Sequence, residues 1–232
     1  MGYQHRLQSI QGLDVLDMPV GKVVCVGRNY AEHAKELNNP IPAEPILFLK
    51  PATALVSMES AWGIPAEQGV CHIETEMALL IGAPLTKASE PECLAAIAGV
   101  GIGFDLTLRE VQSRLKDKGH PWEIAKAFDG SCPLSAFVSA DTMDWSSVEL
   151  RLQRNGQWQQ NGNSGDMITP VAQLLAFISR HFTLLPGDVV LTGTPAGVGP
   201  ISTGDSLRAI LSCDKSGVDP LMVESVVAEP QA

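Results

Sequence analysis

The sequence predicts a β-rich α+β protein with a rolled or barrel-like core and short flanking helices. Three observations carry that expectation. The 232 residues include 21 glycines and 16 prolines, punctuation that favours short strands and tight turns over long helices. Apolar residues fall mostly in short runs bounded by turn residues, as strands do. Stretches with helical spacing are few and brief. No repeat, low-complexity tract or charge block divides the chain, so 1–232 reads as one domain with a short lead-in over about 1–20.

Taken in order, Lys22 to Val26 reads as a strand, and Asn29 to Leu37 as a short helix ended by the Asn38-Asn39-Pro40 breaker. Pro45 to Lys50 is a second strand, and His72 to Ile81 alternates well enough to form one long strand. Pro91 to Ala98 has helical spacing and leads into a glycine-rich strand, Gly99 to Asp105. Aspartate caps helices well, so Leu106 to Lys118 reads as a helix that begins on Asp105. Glu149 to Asn155 and Gln157 to Gln160 flank Asn155-Gly156, a strong hairpin signal. Thr169 to His181 reads as an amphipathic helix with Pro170 in its first turn. Pro186-Gly187-Asp188 introduces a strand over Val189 to Thr192, and Gly204-Asp205 another over Ser206 to Leu211. The tail past Leu211 reads as a final strand or two.

A formal net charge of −10 argues against a nucleic-acid partner, because a phosphate backbone calls for a basic patch and none is visible. A small anionic ligand stays compatible, since a bound cation or a few local Lys and Arg residues can reverse the sign inside a pocket. The five cysteines (Cys25, Cys71, Cys93, Cys132, Cys213) are odd in number and form no C-x-x-C pair. Reduced thiols and a cytoplasmic location are expected, in place of a disulfide frame or a zinc knuckle. The start, MGYQHRLQSI, has no apolar signal core, and the longest apolar stretch, near Ala95 to Phe104, is glycine-rich and too short to span a bilayer. No membrane partner is expected.

The sharpest chemical signal is Glu74-Thr75-Glu76 among apolar neighbours. Residues two apart on a strand share a face, so both carboxylates project into one space. If that space is buried, they repel unless a cation or a shared proton compensates, and a hard divalent metal suits oxygen ligands. Two surface glutamates on an edge strand would give the same pattern. Asp105, where a strand meets a helix, suits either a plain N-cap or a third metal ligand, and three carboxylates would leave metal positions open for water and substrate. His33 and Glu36 lie three apart on one helical face. They read as an exposed contact or as a general base whose His is oriented by the Glu. Arg28, Lys50, Arg109 and Lys126 are each compatible with a solvated charge, and together could hold a substrate carboxylate and steady an enolate. GVGIGF near Gly99 is not a dinucleotide-binding fingerprint, and GTPAGVGP from Gly193 to Pro200 lacks the lysine of a phosphate loop.

In sequence order, VVCVGRNYAEHAKEL, PILFLKP, HIETEMALLIG, GFDLTLREVQ, PWEIAKAFDGSCPLS and PGDVVLTGTPAGVGP resemble the short, single-domain members of the fumarylacetoacetate hydrolase family. The matching text runs from about Val23 to Pro200. The resemblance implies a mixed β-roll catalytic domain, often a homodimer, with bound Mg²⁺ or Mn²⁺. It implies Glu74, Glu76 and Asp105 as metal ligands, His33 and Glu36 as the water-activating pair, and Lys126 as a catalytic lysine. Arg28, Lys50, Arg109, Gln112 and Thr194 match positions lining the pocket. The implied substrate is a small anionic β-keto acid. Hydrolysis of a 3-acylpyruvate such as acetylpyruvate or fumarylpyruvate is the first expectation, with oxaloacetate tautomerisation or decarboxylation as alternatives on the same metal site. A non-catalytic metabolite-binding protein would have no need of the His33–Glu36 pair. Resembling the short members, the chain is not expected to carry the extra N-terminal domain of the larger fumarylacetoacetate hydrolase, nor to have fumarylacetoacetate as its physiological substrate.

Overall fold

The computed structural model describes residues 2–9, 11–36, 40–214, 217 and 219–229. Its centre is a curled, mixed eight-stranded sheet. In spatial order the strands are Ile46–Lys50, Val23–Gly27, Val189–Leu191, Thr75–Ile81, Ile97–Phe104, Cys132–Leu134 and Leu55–Ser57, with Val138–Ser139 also paired on Ile97–Phe104. Val189–Leu191 runs parallel to Val23–Gly27, and Thr75–Ile81 runs antiparallel to both of its neighbours. A second sheet orders Gln157–Asn163, Glu149–Arg154, Ser206–Ser212, Leu221–Ala228 and Trp62–Gly63.

The central sheet is apolar on both faces, and the alternation of its strands shows why. Val24, Val26, Met77, Leu79, Val100, Ile102 and Phe104 point into a core shared with the second sheet and with the Val171–His181 helix. Val23, Cys25, Ala78, Leu80, Val189 and Leu191 point the other way, into a smaller core that includes Phe137. A strand buried on both sides reads as a continuous apolar run, as Thr75–Ile81 does from Met77 onward, while the strand is buried throughout its length. The GVGIGF run has a packing cause. A Cβ on Gly103 would lie 2.6 Å from Leu191 Cδ2, so a side chain here would push Leu191 aside where the smaller core closes on this strand.

Several elements differ from the sequence-based expectation. The lead-in is not featureless: Arg6–Ser9 and Gly12–Val15 form a hairpin, and Tyr3, Leu7, Leu16, Met18 and Val20 cover the smaller core. The long strand expected over His72 to Ile81 is broken at Glu74 into Cys71–Ile73 and Thr75–Ile81. The first piece leaves the central sheet to pair with Thr107–Leu108 and Gly199–Pro200. Because Thr107–Leu108 is held in that pairing, the following helix starts only at Arg109, and Asp105 does not cap it. The helix expected over Pro91 to Ala98 spans Glu90–Ala95, capped by Ser89 and Glu92, since Ile97 already pairs with Ile81. Pro170 stands at the N-cap of the Val171–His181 helix, one residue before its first turn. The Asn155-Gly156 hairpin forms with both residues at positive φ, and its second strand runs on to Asn163. The expected helix end at Leu37 and its Asn38-Asn39 breaker lie outside the described residues. All five cysteines are buried. No helix among the described residues is long and apolar enough to cross a membrane.

Candidate metal centre and active site

The central strands bring their chemistry to one end of the sheet. Thr75–Ile81 begins there, Ile97–Phe104 ends there, and Asp105 N–H donates to Glu74 O at 2.8 Å. Glu76 and Gly103 are cross-strand partners. The break at Glu74 and the exit at Asp105 therefore sit side by side, and Glu74, Glu76 and Asp105 offer carboxylate oxygens within 4.8 Å of one another. All three are buried, with Glu76 and Asp105 each 1% exposed.

Three cations surround this cluster. Lys126 Nζ, at the end of the short Glu123–Lys126 helix, donates to Asp105 Oδ2 at 2.5 Å and to Glu74 Oε2 at 2.9 Å. Arg109 hydrogen-bonds the other Glu74 oxygen and donates to Gln112 Oε1 at 2.8 Å. Lys50 Nζ lies 2.9 Å from Asp105 Oδ1 while also donating to Lys126 O, Ser131 O and Ser131 Oγ. Lys50 thus reaches from one edge strand to the residue preceding Cys132–Leu134, near the other edge, which ties the curl of the sheet directly to the site.

The electrostatics are uneven. Burial alone would raise the Glu74 carboxyl, but Lys126 and then Arg109 hold it well below the usual carboxylate range. Glu76 is pushed well above that range, first by burial and then by Asp105 and Glu74, and its Gly193 N–H bond of 2.6 Å does not compensate. Burial works against the Lys126 ammonium, yet Asp105 and Glu74 raise its pKa overall. A hard divalent cation fits this donor set. The ligands are all oxygen, Asp105 Oδ1 is buried with the Lys50 ammonium beside it but no aligned hydrogen bond, and a central positive charge would let all three carboxylates ionise.

Arg28, His33, Arg109, Gln112, Lys126 and Thr194 border a cleft together with Glu74 and Glu76. Lys50, with no exposed surface, and Asp105 lie beneath the cleft wall. Thr194 faces the cleft, but its hydroxyl donates to Thr75 O at 2.9 Å and accepts from Gln160 Nε2 at 2.8 Å. His33 is buried, with Nδ1 3.4 Å from Glu36 Oε2. Glu36 is itself held by the Gly197 N–H, 3.1 and 3.2 Å from its two oxygens.

Two supporting residues were missed by sequence reasoning. Gln160 accepts from Thr75 N–H at 3.0 Å and donates to Pro195 O at 3.0 Å, joining the second sheet to the stretch 192–195. The Asn29 side chain donates to Thr169 O and Thr192 O and accepts from Thr169 N–H. A polar residue on a strand or beside a turn reads as solvated, so neither carries a signal, although Asn29 does lie inside the VGRNY segment. Phe48, Lys116 and Trp122 also border the cleft.

The chain is similar in sequence and fold to known proteins. The family model for the fumarylacetoacetate (FAA) hydrolase C-terminal region matches residues 22–219. The oxaloacetate tautomerase YcgM of Escherichia coli (strain K12) is 52% identical over 207 residues, covering 88% of this chain and 93% of that protein. A solved structure from Oleispira antarctica superposes with a TM-score of 0.90 at 51% identity, covering 98% of this chain and 100% of that one. The fumarylpyruvate hydrolase of Pseudomonas aeruginosa, solved in complex with Mn²⁺ and pyruvate, superposes with a TM-score of 0.82 at 34% identity, covering 97% and 96%. With the carboxylate cluster, the cleft and these similarities together, the chain belongs to the fumarylacetoacetate hydrolase family of enzymes.

Proposed function

We propose that this chain interconverts the keto and enol forms of oxaloacetate, using Mg²⁺ or Mn²⁺ held by Glu74, Glu76 and Asp105. The observation that carries the reading is the 52% identity to an oxaloacetate tautomerase across 93% of that protein, in a chain whose three carboxylates converge. Acylpyruvate hydrolysis, the first expectation from sequence, becomes the second reading. It is supported by the similarity to a fumarylpyruvate hydrolase and by the His33–Glu36 contact.

When bound, the cation supplies electrophilic polarisation of the 2-oxo group. The protein's own residues do the rest. Arg109 and Gln112, fixed to each other, orient the C1 carboxylate. Lys126 spends two of its three N–H donors on Glu74 and Asp105, which leaves the third for the oxygen on which enolate charge collects. His33 turns Nδ1 toward Glu36, so Nε2 is the nitrogen that takes the C3 proton; the enolate oxygen takes one from solvent while His33 passes its own to solvent, which restores the neutral imidazole. Reversal returns the keto form with no net change in atoms or charge.

Proton NMR of oxaloacetate and, separately, acetylpyruvate, each with Mg²⁺ and with EDTA, tests the assignment. Faster enol–keto exchange of oxaloacetate, suppressed by EDTA and without new products, is expected. Pyruvate plus acetate from acetylpyruvate, with oxaloacetate exchange unchanged, would establish hydrolysis instead, and pyruvate alone from oxaloacetate would establish decarboxylation.

A further inference from the structure

Lys116 plays no part in the chemistry assembled above, yet it borders the same cleft. Half-buried on the Arg109–Asp117 helix, its ammonium lies 5.1 Å from the centre of the Trp122 ring. Trp122 tilts against Phe48 with ring centres 6.0 Å apart, and Lys126 Nζ lies 5.1 Å from the centre of Phe48. The two rings therefore link two ammonium groups. Lys126, at one end, is bound to Glu74 and Asp105. Lys116, at the other, makes no ion pair or side-chain hydrogen bond among the described residues.

Arg28 borders the cleft as well, and it too has no such partner among the described residues. Its backbone is held at φ 60, the left-handed region that a residue with a side chain enters only when its surroundings impose it. The next residue, Asn29, is fixed by three side-chain hydrogen bonds. The cations of the cleft thus divide into two sets. Arg109 and Lys126 are matched by the carboxylates of the metal centre, while Arg28 and Lys116 are unmatched in a protein of net charge −10. Burial, and then the like charges of Arg28, Arg109 and Lys126, work against the Lys116 ammonium, a repulsion that an incoming anion relieves.

We propose that Lys116 and Arg28 form a subsite for the distal carboxylate of a dicarboxylic 2-oxo acid whose 2-oxo-carboxylate end sits at the Glu74–Glu76–Asp105 centre. The proposal rests on the functional reading above and deepens it. It makes this cleft selective for dicarboxylates over 2-oxo acids with a neutral tail. Lys116 and Arg28 act as specificity residues at the far end of the substrate, and Trp122 steadies the Lys116 stem and head.

Oxaloacetate and pyruvate differ by one distal carboxylate, so they isolate the subsite. The test is calorimetric titration of each into the Mg²⁺-loaded protein, as wild type, Lys116→Met, Lys116→Arg and Arg28→Met, with thermal melts confirming that each variant folds. Wild type should bind oxaloacetate roughly tenfold or more tightly than pyruvate, the margin of a charge-assisted hydrogen bond. Lys116→Met and Arg28→Met should each erase most of that margin while shifting pyruvate affinity by no more than about twofold, the scale of a lost distant charge. Lys116→Arg should keep it. Unchanged oxaloacetate affinity in Lys116→Met, or pyruvate affinity falling in step with it, would overturn the subsite. If wild type shows the binding margin but does not speed enol–keto exchange, the subsite stands and the tautomerase reading fails. Binding of neither ligand would overturn both.

Discussion

At Glu76 a carboxylate is buried against two others, and burial and repulsion raise its pKa well above the usual range. Such a group lowers the stability of the metal-free protein and is tolerated because the site needs it. Glu76→Gln keeps an oxygen for the Gly193 N–H and removes the charge. The metal-free variant should melt higher than wild type by about 2–4 °C for each kcal/mol of relieved repulsion, while turnover falls to background. A lower melting temperature with retained turnover would remove Glu76 from the ligand set. The carboxylate pair was legible in the sequence, although the reason was only half right. Period-two spacing placed Glu74 and Glu76 on one strand face, whereas Glu74 occupies the break where the chain changes sheets. Lys50 was legible as a cation after an apolar run, but its depth beneath Asp105 was not, because the curl that carries it there depends on both edges of the sheet. Gln160 was illegible for the opposite reason, being a polar residue whose partners are remote in sequence.

Elements whose form depends on distant partners were the hardest to read. Nothing local to Thr107–Leu108 says that this stretch pairs with Cys71 and His72, so the helix seemed to start on Asp105, and the residue pattern alone left Asp105 open between helix cap and metal ligand. Local rules succeeded where the element carries its own cause, as at the Asn155-Gly156 hairpin and the Val171–His181 helix. The turn around Gly197 shows how an element serves the site. Gly197 sits at φ 97, and a Cβ there would lie 2.0 Å from Gln159 O, so any side chain forces the turn to move. Its N–H is the group that holds Glu36. Gly197→Ala should destabilise the protein by about 1–3 kcal/mol, measured by urea unfolding, and should lower kcat through a loosened His33–Glu36 pair. Wild-type kcat in a destabilised variant would separate Glu36 from the proton transfer.

At the scale of the whole molecule, the central sheet is covered on both faces, and the N-terminal segment is one of the covers. His5 fixes it, with Nε2 2.9 Å from Gly187 O and its ring edge-on to Tyr3 and Phe137. Burial lowers the His5 pKa below its ordinary 6.5, against the opposing pull of Gly187 O and Asp188. The unfolded chain therefore takes up this proton at higher pH than the folded one. The His5 contribution is complete above pH 6.5 and is lost as the pH falls through the lower folded value. The stability gap between wild type and His5→Phe should narrow between about pH 7.5 and about pH 5.5 in urea titrations, and a gap that widens on acidification would contradict the assignment. The rolled, β-rich architecture was legible from punctuation and short apolar runs. The hairpin in the lead-in was not, since its strands are largely exposed and only Leu7 among them packs on the smaller core. The most direct test of the whole account is a Mn²⁺ titration followed by electron paramagnetic resonance, on wild type and on Asp105→Asn. The account predicts stoichiometric binding to wild type that is lost in the variant. Equal binding by both proteins, or none by the wild type, would mean that the three carboxylates are not a metal centre.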